Sequence, residues 1–476
     1  MQVSNNKQKK MKKRLFKIAI FSAALLTFNI SCSDDFVDRE FNQNIIQRPL
    51  ESVDEVQTFV RGIYASMRST NYYGCDYLAY GEVRSDEMFS NLKGGYFTTV
   101  QTYKMLSNDA YATDTWNKIY ETVAKANIVV NTDVSGFAGA GAAEKAQYLQ
   151  GQAYGLRAVA FFDLLKLYGQ QFAETGNLGI VLPTKYDPTA KMPRATIAET
   201  EAQIDADFTK ALSLMQQKAG YDNPSNKTDL SINGLKALMT RFYLYKKDYA
   251  KVRTLVDDIV NSKNYTIADA GSLKTTFSFE MNGAAGNSIF ELAVGINSAL
   301  ATDSYGYILN VYGYNNLEVN EDAFNLFDEN DARYSLFYNE PDEDTGEAIY
   351  YPYIGGKYTQ DNGADNIKMI RIEEVILAGV EAELNGGSPA KALAYYNSIV
   401  TRRGLDTATA VSMDDLKTER LKELMGEGQR QWDLLRWGDK SFLPAGVDKR
   451  LLAFPIPRAE TNVAGTLIVS NPGYDN

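Results

Sequence analysis

The sequence contains no histidine, and this absence removes several classes of catalytic and metal site. Without imidazole the chain cannot build a Ser-His-Asp triad, a Cys-His dyad or a zinc site with histidine ligands. A carboxylate pair could still catalyse glycoside hydrolysis, because Asp and Glu together number 60. No local pattern marks such a pair, however. We therefore expect a protein that is not an enzyme and that carries neither cofactor nor metal.

Cysteine is almost as scarce, with only Cys32 and Cys75 in the chain. If Cys32 carries a lipid, Cys75 has no partner and no intramolecular disulfide can form. Cys75 lies in the segment Tyr-Tyr-Gly-Cys-Asp-Tyr, and we interpret it as a small buried thiol. Stability must then come from a large apolar core, which a chain of this length can supply.

Acidic residues outnumber basic ones, and the excess is larger outside the first 31 positions. Those positions hold seven Lys and Arg residues and no acidic ones, so without them the formal charge falls from −11 to −18. Binding to phosphate backbones needs basic stripes on the surface, and none is visible. The composition therefore disfavours nucleic acid as a partner.

The region around Cys32 has the layout of a bacterial lipoprotein signal. A basic stretch, Lys7–Lys17, precedes the apolar run Ile18–Ile30, and Ser31 suits a cleavage site before Cys32. The apolar run has 13 residues, fewer than the roughly 20 that a transmembrane helix needs. We predict a signal peptide over residues 1–31 and lipid attachment at Cys32. The alternative is an ordinary secreted protein in which this cysteine is incidental.

Apolar residues recur at helical spacing along much of the chain. Paired segments resemble the helix–turn–helix units of tetratricopeptide repeats, although generic helical hairpins would give the same pattern. The predicted helices are Val53–Met67, Asn117–Val130, Gln147–Tyr168, Ile232–Tyr245 with Ala250–Val260, and Met369–Leu384 with Pro389–Val400.

Two segments between the helices, 72–101 and 271–359, are rich in Gly, Asn, Asp and Tyr. A short apolar run at Ser288–Val294 suggests a strand. Long loops inside a compact chain are usually functional. We predict a mostly α fold, in which a scaffold of tetratricopeptide-like helical hairpins carries an irregular, loop-rich ligand-binding face and a few short strands.

Several motifs, taken in order, resemble those of one family. They are Gly81–Asp86, Trp116–Asn127, Leu156–Gly169, Arg420–Leu424 with Gly426–Gly438, Phe454–Glu460 and Asn471–Tyr474, together with the lipoprotein signal. In this order they resemble the SusD/RagB family of outer-membrane nutrient-binding lipoproteins. The resemblance covers nearly the whole of residues 32–476.

The resemblance implies a single binding domain over residues 32–476. It also implies a partner, a SusC-like TonB-dependent transporter, to which the lipoprotein delivers captured oligosaccharide or, in some members, peptide. The expected location is the outer membrane, with the protein held by its lipid and exposed on the cell surface. A peptide-binding member of the family and a carboxylate-pair glycosidase are the alternatives.

An oligosaccharide site needs aromatic rings for the apolar face of a sugar and polar groups for its hydroxyls. Trp116, Trp432 and Trp437 lie in scaffold motifs, so we expect loop tyrosines to form the site. Alternatively, these rings merely pack the loops against the scaffold. The first candidate cluster is Asn91, Tyr96 and Phe97, and the second is Tyr305, Tyr307, Tyr312, Tyr314 and Asn315.

The C-terminal motif offers a second interpretation. Its acids and arginines could form a catalytic site, but alternating charges at near-helical spacing are more typical of packed ion pairs. We favour the structural role for Glu423, Glu427, Arg430, Asp433 and Arg436.

Overall fold

The computed structural model describes residues 48–174 and 176–474, so the predicted signal peptide and Cys32 lie outside the described residues. Helices dominate this part of the chain, as the sequence predicts. Those of eight or more residues are α1 (Val53–Met67), α2 (Asp76–Val83), α3 (Ala110–Val130), α4 (Ala142–Tyr168), α5 (Ile197–Gln217), α6 (Ile232–Tyr245), α7 (Tyr249–Ser262), α8 (Ile372–Leu384), α9 (Pro389–Val400), α10 (Met413–Leu424) and α11 (Arg430–Trp437).

The predicted bounds of α1, α6 and α9 are confirmed, and each helix begins after a serine cap. The side chains of Ser52, Ser231 and Ser388 accept hydrogen bonds from backbone N–H groups in the first turns of these helices. The helix α3 starts seven residues earlier than predicted because Asp109 caps it, accepting from the backbone N–H of Tyr111.

Two predictions of secondary structure are wrong. The segment predicted as a loop from residue 72 contains α2, in which every residue is buried. A helix buried on all sides has no polar face, so it shows no period in its sequence. The helix predicted from Met369 begins only at Ile372, because Ile367–Arg371 pairs as a strand with Ser288–Leu292.

The scaffold consists of helical hairpins packed in chain order, α3 on α4, α4 on α5, α6 on α7 and α8 on α9, with α8 also on α7. Small residues allow the close approach of α4 and α5. A Cβ atom on Gly151 would lie 2.6 Å from Cγ of Met215 and 3.1 Å from the carbonyl oxygen of Ala211. This is a tetratricopeptide-like helical fold, as predicted. No helix in the described residues is both long and apolar enough to cross a membrane.

Short elements connect the hairpins. Three antiparallel strand pairs occur in the described residues: β1 (Met88–Ser90) with β3 (Leu317–Val319), β2 (Ser288–Leu292) with β6 (Ile367–Arg371), and β4 (Asn339–Pro341) with β5 (Ala348–Tyr350). The strand β2 confirms the predicted strand near residue 288. Helical turns are Thr98–Gln101, Leu273–Thr276, Tyr305–Leu309, Glu321–Phe324 and Arg458–Thr461.

A buried cluster of charges centres on Glu423 at the end of α10. Its carboxylate accepts hydrogen bonds from Arg333 at 3.1 Å, Arg371 at 3.2 Å and Arg403 at 2.7 Å. Burial alone would raise the pKa of the Glu423 carboxyl, but the three guanidinium groups, Arg403 foremost, hold this pKa well below its usual range. Glu427 and Asp433 are likewise paired, with Arg371 and Arg420, so the acids of the C-terminal motif form ion pairs, as the structural interpretation expects.

Cys75 is also buried, as predicted, and burial raises the pKa of its thiol. The thiol is therefore protonated at neutral pH and behaves as a small apolar group.

We predict that Glu423→Gln lowers the free energy of unfolding by about 3–5 kcal/mol, because it leaves three buried guanidinium groups without their shared carboxylate. Urea denaturation would measure the change. The matched control is Asp414→Asn in the same helix, which removes an exposed ion pair with Lys417 and should cost at most about 1 kcal/mol. A loss from Glu423→Gln no larger than the control's would contradict the prediction.

Candidate functional site

The two candidate clusters, far apart in the sequence, meet in the structure. The strand β1 pairs with β3, with Met88 opposite Val319 and Ser90 opposite Leu317. This pairing brings residues 91–97 alongside residues 305–316. The structure thus offers one candidate site where the sequence suggested two.

A buried amide fixes the geometry between these segments. Asn316 accepts a hydrogen bond from the backbone N–H of Gly94 at 2.8 Å. Its Nδ2 donates to Oγ of Ser90 at 2.9 Å and to the carbonyl oxygen of Tyr96 at 3.1 Å. Sequence reasoning passed over Asn316, which belonged to the same Asn-rich run as Asn315. Because its side chain bonds three groups on the facing segment, the loops are held in one arrangement.

Two asparagines predicted as ligand contacts have roles in the loops themselves. Nδ2 of Asn91 donates to the carbonyl oxygen of Asn315 at 2.8 Å, and Oδ1 of Asn91 accepts from the backbone N–H of Lys93 at 3.2 Å. Asn315 adopts a left-handed conformation with φ of 46°, which asparagine tolerates better than most residues. The side chain of Asn91 and the backbone of Asn315 therefore contribute to the shape of the loops.

Three of the predicted tyrosines form one ring cluster. The rings of Tyr96 and Tyr314 have centroids 4.9 Å apart at 32°, and Tyr307 meets Tyr314 edge-on at 4.9 Å. Tyr314 is 38% exposed, and the other two are half-buried. The neighbouring Tyr314 hydroxyl and partial burial raise the pKa of Tyr96 to about 12, so its phenol stays neutral at physiological pH. Such a cluster presents ring surface and hydroxyl groups together.

A second ring cluster lies beside Tyr312, which is 75% exposed. The ring of Tyr312 meets Tyr338 edge-on at 5.9 Å, and Tyr338 lies 5.9 Å from Tyr351. The hydroxyl of Tyr338 donates to the carboxylate of Glu340, which raises the pKa of this tyrosine. Tyr338 directly precedes β4 and Tyr351 directly follows β5, so the pairing of these two strands holds the two tyrosines together.

We call these two ring clusters together the aromatic face: Tyr96, Tyr307, Tyr312, Tyr314, Tyr338 and Tyr351. Sequence reasoning missed the last two. The run Tyr350-Tyr351-Pro352-Tyr353 lies in the same loop-rich segment and was the signal that could have revealed Tyr351.

One edge of the aromatic face carries charge. The ammonium of Lys93 lies 5.5 Å from the ring centroid of Tyr353, within the range of a cation–π contact. The hydroxyl of Tyr353 donates to the carboxylate of Glu318 at 3.4 Å. The backbone N–H of Val319 donates to the carbonyl oxygen of Pro352 at 2.8 Å, so β3 also supports this edge.

Two predicted site residues are buried in the core. Phe97 is 1% exposed and stacks on Tyr111 at 4.8 Å, whereas Tyr305 is 2% exposed and meets Tyr358 edge-on at 5.1 Å. A ring enclosed by protein cannot also lie against a sugar. Packing of the loops, the alternative noted above, accounts for both residues, and we leave them out of the proposed site.

A groove of about 610 Å³ lies between α3 and the C-terminal segment. Its lining includes Trp116, Tyr120, Met192 and Leu467. Trp116 is buried, and the hydroxyl of Tyr120 donates to the carbonyl oxygen of Val181 at 2.9 Å. These two aromatic side chains therefore belong to the scaffold, which agrees with the sequence interpretation of Trp116.

Comparison with known proteins identifies the family. Residues 35–244 match a family described as starch-binding and associating with the outer membrane, and residues 351–450 match the SusD family. The chain belongs to the SusD/RagB family. The second match includes Tyr351 of the aromatic face, as well as the C-terminal motif with Glu423. The first includes Tyr96.

Individual relatives resemble the chain at modest identity. SusD-like protein P25 of Formosa agariphila is 28% identical, and the match spans 33% of this chain and 38% of that protein. A SusD superfamily protein of Bacteroides thetaiotaomicron is 25% identical with a TM-score of 0.77, covering 88% of this chain and all of that one. A laminarin-binding SusD-like protein shares the fold at 20% identity, with a TM-score of 0.70 over 89% of this chain and all of that one.

We predict that Tyr305→Ala and Tyr312→Ala differ sharply in stability. Removing the buried ring of Tyr305 leaves a cavity and should cost about 3–5 kcal/mol. Removing the exposed ring of Tyr312 should leave the unfolding midpoint almost unchanged. Chemical denaturation of both variants gives the comparison, and a destabilised Tyr312→Ala protein would show that this ring has a packing role.

Proposed function

We propose that this protein is a cell-surface lipoprotein that binds oligosaccharides and delivers them to a SusC-like TonB-dependent transporter. The observation that carries the proposal is the aromatic face, in which two ring clusters lie on loops that the scaffold holds in place. The exposed ring of Tyr312 lies against the ring of Tyr338, and contiguous apolar surface that is open to solvent is characteristic of binding sites. No catalytic step is proposed.

The chemistry of the aromatic face suits a carbohydrate. The axial C–H groups of a pyranose form an apolar patch that packs on a tyrosine ring, while the phenol hydroxyl can exchange hydrogen bonds with the sugar hydroxyls. The aromatic face provides six phenols, of which Tyr312 and Tyr314 are the most exposed. The loop conformation is fixed before binding by the amide of Asn316, so little ordering entropy is lost when a ligand binds.

The family supports the same ligand class. The description of the matched family names starch and the outer membrane, and one protein of this fold is described as laminarin-binding. Both ligands are neutral glucans, so they are the natural first probes. The transporter partner is proposed from the family resemblance.

The aromatic face can be tested by removing exposed rings. We predict that Tyr312→Ala and Tyr314→Ala each weaken oligosaccharide binding roughly tenfold, about 1–2 kcal/mol, since truncating an exposed aromatic contact removes a central part of an interface. Isothermal titration calorimetry against starch, laminarin and a wider glycan panel would measure the loss.

Tyr186→Ala is the matched control, because Tyr186 is an exposed tyrosine outside the aromatic face. It should bind as the unmodified protein does. Peptide retention with no glycan signal would overturn the oligosaccharide assignment in favour of a peptide ligand, and release of shorter products from polysaccharides would point to a hydrolase.

The lipid anchor can be tested separately. We propose that Cys32, which lies outside the described residues, carries the lipid. Fractionation of cells that express the Cys32→Ala protein should find it released from the membrane fraction, because a lipid chain supplies most of the membrane affinity of a peripheral protein. Cys75→Ala is the control and should stay with the membrane. A Cys32→Ala protein that remains membrane-bound would contradict the anchor.

A further inference from the structure

The surroundings of the aromatic face are strongly acidic. Within residues 91–97, 303–318 and 338–353 the one basic residue is Lys93. The acidic residues of the same segments number seven: Asp303, Glu318, Glu340, Asp342, Glu343, Asp344 and Glu347. The three segments that carry the aromatic face therefore have a net negative charge.

Most of this charge sits on the hairpin that carries two of the rings. Tyr338 precedes β4, Tyr351 follows β5, and the turn between these strands holds four of the acids. The turn is well formed, because Oδ1 of Asp342 accepts from the backbone N–H of Thr345 at 2.8 Å and from its hydroxyl at 2.9 Å. The side chains of Glu343, Asp344 and Glu347 are exposed to solvent. The strands thus fix this charge relative to the rings.

Some of this negative charge lies next to the tyrosines of these segments. Glu340 contacts the ring residue Tyr338 directly through its carboxylate, and Glu318 contacts Tyr353. The turn lies four residues from Tyr338, roughly 13 Å along an extended strand. At about 0.01 M salt the screening length is about 30 Å, so charges at this separation interact. In physiological salt the screening length is about 8 Å, and the interaction is much weaker.

We propose that the aromatic face selects neutral glycans and rejects anionic ones such as sulfated or uronate-containing chains. This inference rests on the function proposed above and narrows its ligand class. A sulfate or carboxylate group near the acidic hairpin has only Lys93 as a nearby basic partner among the three segments, whereas a neutral hydroxyl meets no such penalty. Stacking on the rings is open to both, so charge decides between them.

The test compares neutral polysaccharides, including starch and laminarin, with a sulfated derivative of each. In calorimetry at about 0.01 M salt, the sulfated derivative should bind about tenfold more weakly than its parent. This difference in affinity, the affinity gap, should narrow in about 0.5 M salt. The triple variant Glu343→Gln, Asp344→Asn, Glu347→Gln should narrow the gap at low salt several-fold.

The control for total charge is the triple variant Asp54→Asn, Glu144→Gln, Asp406→Asn. It changes the net charge by the same amount at exposed positions outside the three segments. This control should leave the affinity gap between neutral and sulfated ligands unchanged. If it narrowed the affinity gap as much as the hairpin variant does, the hairpin would not be the source of selection.

This inference would be overturned if a sulfated derivative bound as tightly as its parent and the Tyr312→Ala variant lost the binding of both. The proposal of oligosaccharide binding would then still stand. If the protein bound no polysaccharide, neutral or sulfated, the proposed function would be overturned and this inference with it.

Discussion

The shared carboxylate of Glu423 is the interaction on which the rest of the structure depends. Its three arginine partners come from three separate parts of the chain: Arg333 precedes the hairpin of the aromatic face, Arg371 ends β6, and Arg403 follows α9. Breaking a buried ion pair is costly, so the shared carboxylate favours the arrangement in which all three segments meet at the end of α10. One buried charge thereby ties the loops to the helical scaffold.

The residues that follow Glu423 extend this junction to the segment that leads into β1. The backbone N–H of Gly426 donates to Glu87, just before β1, and the hydroxyl of Tyr358 donates to the carbonyl oxygen of Gly426 at 2.8 Å. Gly81 in α2 approaches the same segment so closely that a Cβ atom there would lie 2.2 Å from the carbonyl oxygen of Gly428. Two sequence motifs that suggested the family, around residues 81–86 and 426–438, thus form one structural junction.

The sequence predicted the parts of the fold whose side chains divide into a buried and an exposed face. The helix α1 buries Val56, Val60 and Ile63 on one side, and this period gave its bounds correctly. The helix α2 is buried throughout, and the apolar start of the predicted helix at Met369 pairs as β6, so neither had a period to follow. Local pattern carries no information about contacts made on all sides or across long sequence separations.

The candidate site shows the same division. Composition located the tyrosine-rich loops, because Gly, Asn and Tyr between helices mark exposed irregular backbone. It could not say which rings point inward, since Tyr305 and Tyr307 lie two residues apart in the same short helical turn, yet only Tyr305 is fully enclosed. Nor could it bring Tyr96 to Tyr314, because that contact depends on the pairing of β1 with β3.

Because of the difference in burial, substitutions in the Glu423 cluster cost more stability than substitutions on the aromatic face. We expect breaking the Glu423 cluster to cost about 3–5 kcal/mol, a large share of the roughly 5–15 kcal/mol that stabilises a typical domain. Exposed rings such as Tyr312 and the acids of the hairpin turn contribute little to folding, so they can change with the ligand at small cost. Under the proposed function, the exposed residues of the aromatic face select the ligand, and the buried charges hold the loops that carry these residues.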